Sequence, residues 1–329
     1  MEPMPANLTP EYEKAEQRYR EAKTDPDKLL ALQQMLSTIP KHKGTEKMQA
    51  DIKRRISQLR KAAGRKAASK GVDLFHVPKT GIGQVVFVGF PNVGKSSIVG
   101  AATNAPVKVA EYPHATALPT PGMWPYEDVQ MQLVDTPPMT PEHVPPGLVG
   151  TIRSADVIAV VVDASADPLA QAGGIWNILA ARGLELRSVP RGRLDADRPG
   201  QRSSLIVANK ADLAGAENIG ALRELYADRL EVLPVSAATG EGLDRLARKL
   251  WQLLDIIRVY TKAPGQKPDM TDPIVIARGS TLYDAAAAVH KDFAARLKYA
   301  RIWGSGKHDG IMAKRDHILK DGDIIELHM

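Results

Sequence analysis

Cysteine is absent from the whole of this 329-residue sequence. That excludes disulfide staples and thiolate metal centres, and it fits a reducing compartment. Long apolar runs are missing too: Val157 to Val162, one of the longest, is far too short to span a bilayer. The opening residues, Met1 to Asn7, lack the charged-then-apolar pattern of a signal peptide. The expectation is a soluble cytoplasmic chain with no membrane partner. His114, His290, His308 and His317 show no metal-ligand spacing, so core or surface roles are expected for them. Neither internal repeats nor low-complexity tracts occur. Charge of one sign does not dominate. The formal net charge is +6 with an isoelectric point of 9.3, which suits an anionic partner without demanding one. The length allows two or three domains, the largest with a full core.

What is present begins with helices, from about Pro10 to Gly71. Pro10-Glu11-Tyr12-Glu13 opens the first with proline and acids in its first turn, as the helix dipole prefers. Asp25-Pro26-Asp27 opens a second, with Leu29, Leu30, Leu32 and Met35 as its apolar face and an end near Pro40. Gly44-Thr45-Glu46 opens a third, in which Met48, Ile52, Ile56 and Leu59 keep a three-and-four spacing. Lys53, Arg54, Arg55, Arg60, Lys61, Arg65, Lys66 and Lys70 cover the rest of it. Two readings stay open: a basic arm that touches RNA phosphates, or the solvated face of a helical hairpin.

Val72 to Gly83 reads as a linker, with Pro78 and two glycines. Beyond it strands and helices alternate. Val129 to Asp135 alternates apolar and polar residues, as a strand near a sheet's edge does. Val157 to Asp163 and Leu205 to Asn209 are continuously apolar, as central parallel strands are. Helices are expected over Pro168 to Ala181, Glu217 to Arg229 and Gly242 to Leu254, with Glu231 to Val235 a strand between the last two. The pattern predicts an α/β fold with one mostly parallel sheet. Arg187 to Arg202, rich in Arg, Pro and Gly, reads as an exposed insertion. After Ile257 the pattern changes to a small α+β module. It has strands at Pro273 to Ala277, Tyr299 to Trp303 and Asp323 to His328, and a helix capped at Ser280-Thr281-Leu282-Tyr283-Asp284 that runs to about Phe293. The expected division is a basic helical region over 1–72, a nucleotide domain over 73–257 with its insertion at about 187–202, and a terminal module over 258–329.

The first apolar run, Gln84 to Val88, leads into Gly89-Phe90-Pro91-Asn92-Val93-Gly94-Lys95-Ser96-Ser97, and Ile98 to Thr103 can then start a helix. Strand, glycine loop and helix in that order give a G-x-x-x-x-G-K-[ST] match its meaning. The glycines let consecutive N–H groups converge on phosphate oxygens. Lys95 can reach the β- and γ-phosphates, the Ser96 hydroxyl can ligate Mg²⁺, and the helix N-terminus adds partial positive charge. Asn209-Lys210-Ala211-Asp212 ends a central strand, the edge at which open α/β sheets bind ligands. The Asp212 carboxylate can accept both N1–H and N2–H of guanine, donors that adenine does not offer there. Each such charge-assisted bond contributes about 1.5–3 kcal/mol, enough to select GTP over ATP. Asn209 would bridge base and phosphate loop, Lys210 would lie over the ring, and in Ser236-Ala237-Ala238 the Ala237 N–H can reach guanine O6. Asp135, ending its strand, is placed to hold Mg²⁺ through a water. Thr116 is the choice for a threonine joining Mg²⁺ and the γ-phosphate, with Thr120 as its competitor.

In this order the motifs resemble those of a translation-factor-class GTPase. They are closer to the Obg-like superfamily, and within it to the developmentally regulated GTP-binding (DRG) family. The phosphate loop carries part of that resemblance. Tyr112-Pro113…Thr116…Pro119…Gly122 resembles the family's Y-x-F-T-T-x-x-P-x-x-G loop. Ile257 to Gln266, running on to Tyr299 to Ser305, is similar to its C-terminal TGS domain, a ubiquitin-like β-grasp fold. The resemblance implies a P-loop GTPase that hydrolyses GTP with Mg²⁺ and associates with ribosomes or RNA. Asn92 stands where related GTPases stimulated by K⁺ carry an asparagine, so a K⁺ site is implied there.

Two departures bear on activity. His114 and Ala115 replace the family's Phe and Thr, so one of two adjacent threonines is kept. The D-x-x-G motif reads Asp135-Thr136-Pro137-Pro138; Pro138 has no N–H to offer a γ-phosphate. Met139 follows and cannot orient water. Slow intrinsic hydrolysis and a weak second switch are expected. Lys291, Arg296, Lys298, Arg301, Lys307, Lys314 and Arg315, with Tyr299 beside them, give the last module a basic face suited to RNA. The alternative to a catalytic switch is a nucleotide-stabilised RNA- or ribosome-binding scaffold with a decayed cycle. Protein regulators fit either reading.

Overall fold

In the computed structural model, which describes residues 10–22, 25–39, 45, 48–59, 74–103, 118–304 and 309–328, the chain divides between Leu74 and Phe75 into two units. The first holds α1 (Pro10–Glu21), α2 (Asp25–Thr38) and α3 (48–59). Tyr12, Ala15, Leu32, Met35, Ile39, Ile52 and Ile56 form its core. Leu30, expected on that face, is 44% exposed. Two positions from Leu32 on a helix is roughly 200° of rotation, which takes it off the stripe. Lys53, Arg54 and Arg55 are exposed, and Asp51 binds both arginines, at 2.8 and 2.7 Å. The remaining cations of the expected arm, Arg60, Lys61, Arg65, Lys66 and Lys70, lie outside the described residues.

The second unit is built on two sheets. Among the described residues the larger has seven strands: β1 (Gln84–Val88), β2 (Thr120–Tyr126), β3 (Val129–Asp135), β4 (Val157–Asp163), β5 (Glu185–Arg187), β6 (Gln201–Asn209) and β7 (Val232–Pro234). Their order is β2-β3-β1-β4-β6-β5, with β7 also on β6. All pairings are parallel except β2 with β3. Helices cover both faces. α5 (Leu148–Ser154), α6 (Pro168–Ala180) and α7 (Ala216–Tyr226) close one core, through Leu148, Ile152, Ile175 and Leu222. α4 (Lys95–Thr103) and α8 (Leu243–Leu254) close the other, through Ile98, Val99, Leu246 and Leu250. Such two-sided cover is what continuously apolar strands require. It brings the C-terminal ends of β1, β3, β4 and β6 to one sheet edge.

β2, β5 and α5 lie where no element was expected. β2 takes in Thr120, Pro121 and Gly122, the end of the loop read from Tyr112. It tolerates Pro121 and Pro125 because it is an edge strand. Arg187 and Arg202, the ends of the expected insertion, belong to β5 and β6, while residues 195–199 between them are exposed.

The smaller sheet contains β8 (Ile256–Thr261), β9 (Asp269–Ala277), β10 (Tyr299–Trp303), β11 (Ile311–Ala313) and β12 (Asp323–His328). Its order is β11-β10-β12-β8-β9, with β12 parallel to β8 and antiparallel to β10. α9 (Leu282–Val289) crosses one face, burying Leu282, Ala285 and Ala286 against Ile257, Val259 and Ile325. This is a β-grasp. Its helix opens with the expected capping box of Thr281 and Asp284. It stops at His290, earlier than expected, where the backbone turns extended and the His290 Nδ1 accepts the Asp292 N–H at 3.2 Å to start α10 (Lys291–Arg296). Among the described residues no helix is long and apolar enough to cross a membrane.

Candidate functional site

The loop between β1 and α4 runs along the sheet edge. Gly94 sits at φ 88, and a Cβ there would stand 2.2 Å from the Asn209 Nδ2. Glycine is therefore required by backbone angle and by space. Asn92 also takes a left-handed angle, φ 64, which asparagine tolerates better than most residues. Phe90 anchors the loop from the other side, its ring 2.5 Å from where a Cβ on Gly174 of α6 would be.

Lys95 is 6% exposed, and its Nζ donates to the carbonyl oxygens of Gly89 at 3.1 Å and Phe90 at 3.0 Å. Burial lowers its pKa to about 8, with the Asp135 charge pulling the other way. The Ser96 Oγ donates to Asp135 Oδ2 at 2.6 Å. Helix start and strand end thus hold a hydroxyl and a carboxylate side by side. Hard oxygen donors next to a phosphate loop fit Mg²⁺, which prefers one or two protein oxygens completed by phosphates and waters. Among the described residues no group of three or more His, Cys, Asp or Glu could hold a metal ion.

Asn209 is 2% exposed and ties three segments together. Its Nδ2 donates to the Val93 carbonyl at 2.9 Å, and its Oδ1 accepts the Ala237 N–H at 3.1 Å. That Ala237 N–H is the group expected to reach a guanine O6. Lys210, at φ 60, donates from Nζ to Asp163 Oδ2 at the end of β4. Burial works against the charge on Asp163, and hydrogen bonds from Lys210 and Ser165 outweigh it, lowering the pKa. Asp212 and Ala238 are exposed, while Ser236 is buried with its Oγ accepting the Thr239 N–H at 3.1 Å.

The segment after Asp135 is docked against the phosphate loop. Thr136 is buried and donates to the Phe87 carbonyl at 2.6 Å. Past Pro137 and Pro138, the Met139 N–H donates to the Gly89 carbonyl at 3.2 Å, the oxygen that Lys95 also binds. The Met139 side chain is wholly buried in the core under α5 and α6.

The fold therefore gathers Lys95, Ser96 and Asp135 into one cluster and Asn209, Val93 and Ala237 into another. Thr116 lies outside the described residues, whereas Thr120 opens β2 opposite Asp135. Asp163, Phe90, Gly174 and the Met139 N–H are additions that sequence reasoning missed. Asp163 alone had a signal, a carboxylate ending an apolar strand at the ligand edge.

The profile of the 50S ribosome-binding GTPase family matches residues 84–184, and that of the TGS domain matches residues 257–329. The developmentally-regulated GTP-binding protein 2 homolog of Dictyostelium discoideum is 28% identical over 92% of this chain and 98% of that one. Ribosome-interacting GTPase 1 of Saccharomyces cerevisiae is 24% identical over 92% and 99%. Among solved structures, the YchF GTPase of Schizosaccharomyces pombe covers 76% of this chain and 99% of its own, with a TM-score of 0.55 at 15% identity, and so shares the fold. Helices, a P-loop GTPase domain on a mostly parallel sheet and a TGS domain thus follow one another here, in a chain that is similar over most of its length to proteins named developmentally-regulated GTP-binding.

Proposed function

We propose that this chain is a slow, Mg²⁺-dependent GTP hydrolase that acts as a switch on the ribosome or its RNA in the cytoplasm. The observation that supports it best is the Asn209 side chain. It joins the guanine motif to the phosphate loop at the edge where Lys95, Ser96 and Asp135 also meet. In this reading, residues 73–257 grip the nucleotide, 258–329 form the TGS domain and 1–72 a basic helical arm.

Gly89, Pro91, Asn92, Val93, Gly94 and Ser97 shape the cradle. Lys95 exchanges the carbonyls of Gly89 and Phe90 for phosphate oxygens, a trade of neutral acceptors for anionic ones. Asp212 accepts from the base, Lys210 lies along it, and Ser236, Ala237 and Ala238 form its far wall. Ser96, Asp135 and Thr116 would hold Mg²⁺, which when bound neutralises charge on the transferred phosphoryl group. Turnover is slow because Pro138 has no N–H for the γ-phosphate and the buried Met139 orients no water. Asn92 is proposed as a K⁺ ligand; equal hydrolysis rates in K⁺ and Na⁺ would remove it. The ribosome as partner is suggested by what the yeast relative's name says of that protein.

Pro138 also favours a second reading, a scaffold that binds guanine nucleotide without a productive cycle. Single-turnover hydrolysis of labelled GTP, with and without ribosomes, separates the two. Measurable turnover that ribosomes accelerate supports the switch; bound GTP that stays intact under both conditions supports the scaffold. Failure to bind guanine nucleotide in excess Mg²⁺, or equal uptake of adenine nucleotide, would overturn both.

A further inference from the structure

The β2–β3 hairpin reaches from the candidate site to the TGS domain. At one end Thr120 pairs with Asp135, and Asp135 touches Ser96. Seven residue pairs later, about 20 Å along the strands, a two-residue turn of Glu127 and Asp128 closes it. That turn is poorly suited to stand alone. Glu127 sits at φ 51, a position in tight hairpins usually given to glycine, and a glutamate there costs on the order of 1 kcal/mol.

The TGS domain supplies what the turn lacks. Arg258 of β8 donates from Nη1 to Glu127 and, at 2.8 Å, to Asp128, and from Nη2 to Asp321 of its own domain at 2.8 Å. The Tyr260 hydroxyl, also on β8, donates to the other oxygen of Asp128. The Arg258 guanidinium lies 5.0 Å over the Trp251 ring, and Trp251 stacks on Tyr126 at 5.5 Å. The Arg258 side chain is 15% exposed and that of Asp128 22%, so this pair interacts with less solvent screening than surface pairs. Burial opposes charge on Asp128 and Asp321, yet bonds from Tyr260 and Arg258 lower the pKa of the first, and bonds from Arg258 that of the second. Among the described residues β2 has β3 as its only strand neighbour, so the register of that edge depends on the turn.

We propose that Arg258 is a positioning residue: the TGS domain clamps the hairpin turn through it, and the hairpin couples that clamp to the Ser96–Asp135 pair. The inference rests on the reading of that pair as a Mg²⁺–nucleotide site. Coupling of this kind is reciprocal, so nucleotide with Mg²⁺ steadies the TGS sheet as the TGS contact steadies the site.

The test uses the full chain, a fluorescent GDP, and amide hydrogen exchange. In the Arg258→Glu variant the Mg²⁺ concentration for half-maximal nucleotide retention rises at least fivefold, while affinity in EDTA stays within twofold. In the unaltered protein Mg²⁺ with GDP slows exchange across Asp323–His328, and the variant loses that effect. The charge-swapped pair, Asp128→Arg with Arg258→Glu, recovers most of both. Tyr260→Phe, a milder change if the reversal fails to fold, moves both readouts in the same direction by less. A folded Arg258→Glu or Tyr260→Phe protein with unchanged Mg²⁺ requirement and unchanged protection of β12 overturns the clamp alone. Absence of GDP binding by the unaltered protein overturns the reading of the site as well.

Discussion

The loop that joins β1 to α4 and the segment that follows β3 lie side by side at one sheet edge, yet they are built on different terms. The first carries every residue that phosphate binding asks for, and its geometry is fixed by close packing: Gly94 against Asn209, Phe90 against Gly174. The second keeps Asp135 and then puts Pro138 where a backbone donor is normally used. Its next donor, the Met139 N–H, is already spent on the Gly89 carbonyl. In the proposed reading, holding a nucleotide and sensing its last phosphate are therefore separable. The first depends on side chains buried in two cores, the second on a handful of backbone groups.

Four experiments probe that separation, from the largest effect to the smallest. Asp212→Asn removes the carboxylate proposed to accept two guanine donors. At about 1.5–3 kcal/mol each, the expected loss is at least a hundredfold in GDP affinity with folding intact, measured by fluorescent nucleotide titration. Less than tenfold would mean the base is read elsewhere. Pro138→Gly restores an N–H and frees the backbone of the trigger. GTP affinity relative to GDP should rise about tenfold, the worth of one charge-assisted bond, with faster single turnover. An unchanged ratio would show that the trigger fails for another reason.

Gly174→Ala pushes a methyl group into the Phe90 ring. Overpacking of this sort costs typically 1–3 kcal/mol, and both thermal stability and nucleotide affinity should fall. Loss of stability with full affinity would show that Phe90 supports the core but not the loop. The smallest effect concerns Lys95. Its pKa, lowered to about 8 by burial, should rise when phosphate oxygens replace carbonyls, because anions favour the ammonium form. Binding should then take up almost no proton at pH 6.5, where Lys95 is already charged, and most of one at pH 9. Calorimetry in buffers of different ionisation enthalpy reads the difference. No uptake at pH 9 would mean that Lys95 does not change partners.

What could be read from residues alone was what contiguous residues carry. Gly89 to Ser97 and Asn209 to Asp212 declare their chemistry in a few positions, and Val157 to Asp163 is apolar enough to be a central strand by itself. β2 was hidden because Pro121 and Pro125 mask a strand that survives only at an edge. β5 is three residues long, too short for any period to show. The break at His290 depends on one backbone angle that the alanines before it do not announce. The partners of Arg258 are scattered from Glu127 to Asp321, and no spacing rule links them. The bond from the Ala237 N–H to Asn209 links two segments far apart in the chain, and no local spacing announces it.

Trp251 and the turn at Glu127 and Asp128 carry one more implication, for where this protein can be divided. Severing the chain after Asp255 would strip the cover from an indole and leave two neighbouring carboxylates without their counter-ion. The severed front portion would then carry a sticky, acidic scar, prone to clump and quick to melt. The β-grasp module is thus part of the roof of its neighbour, and the pair are best regarded as one inheritance rather than two.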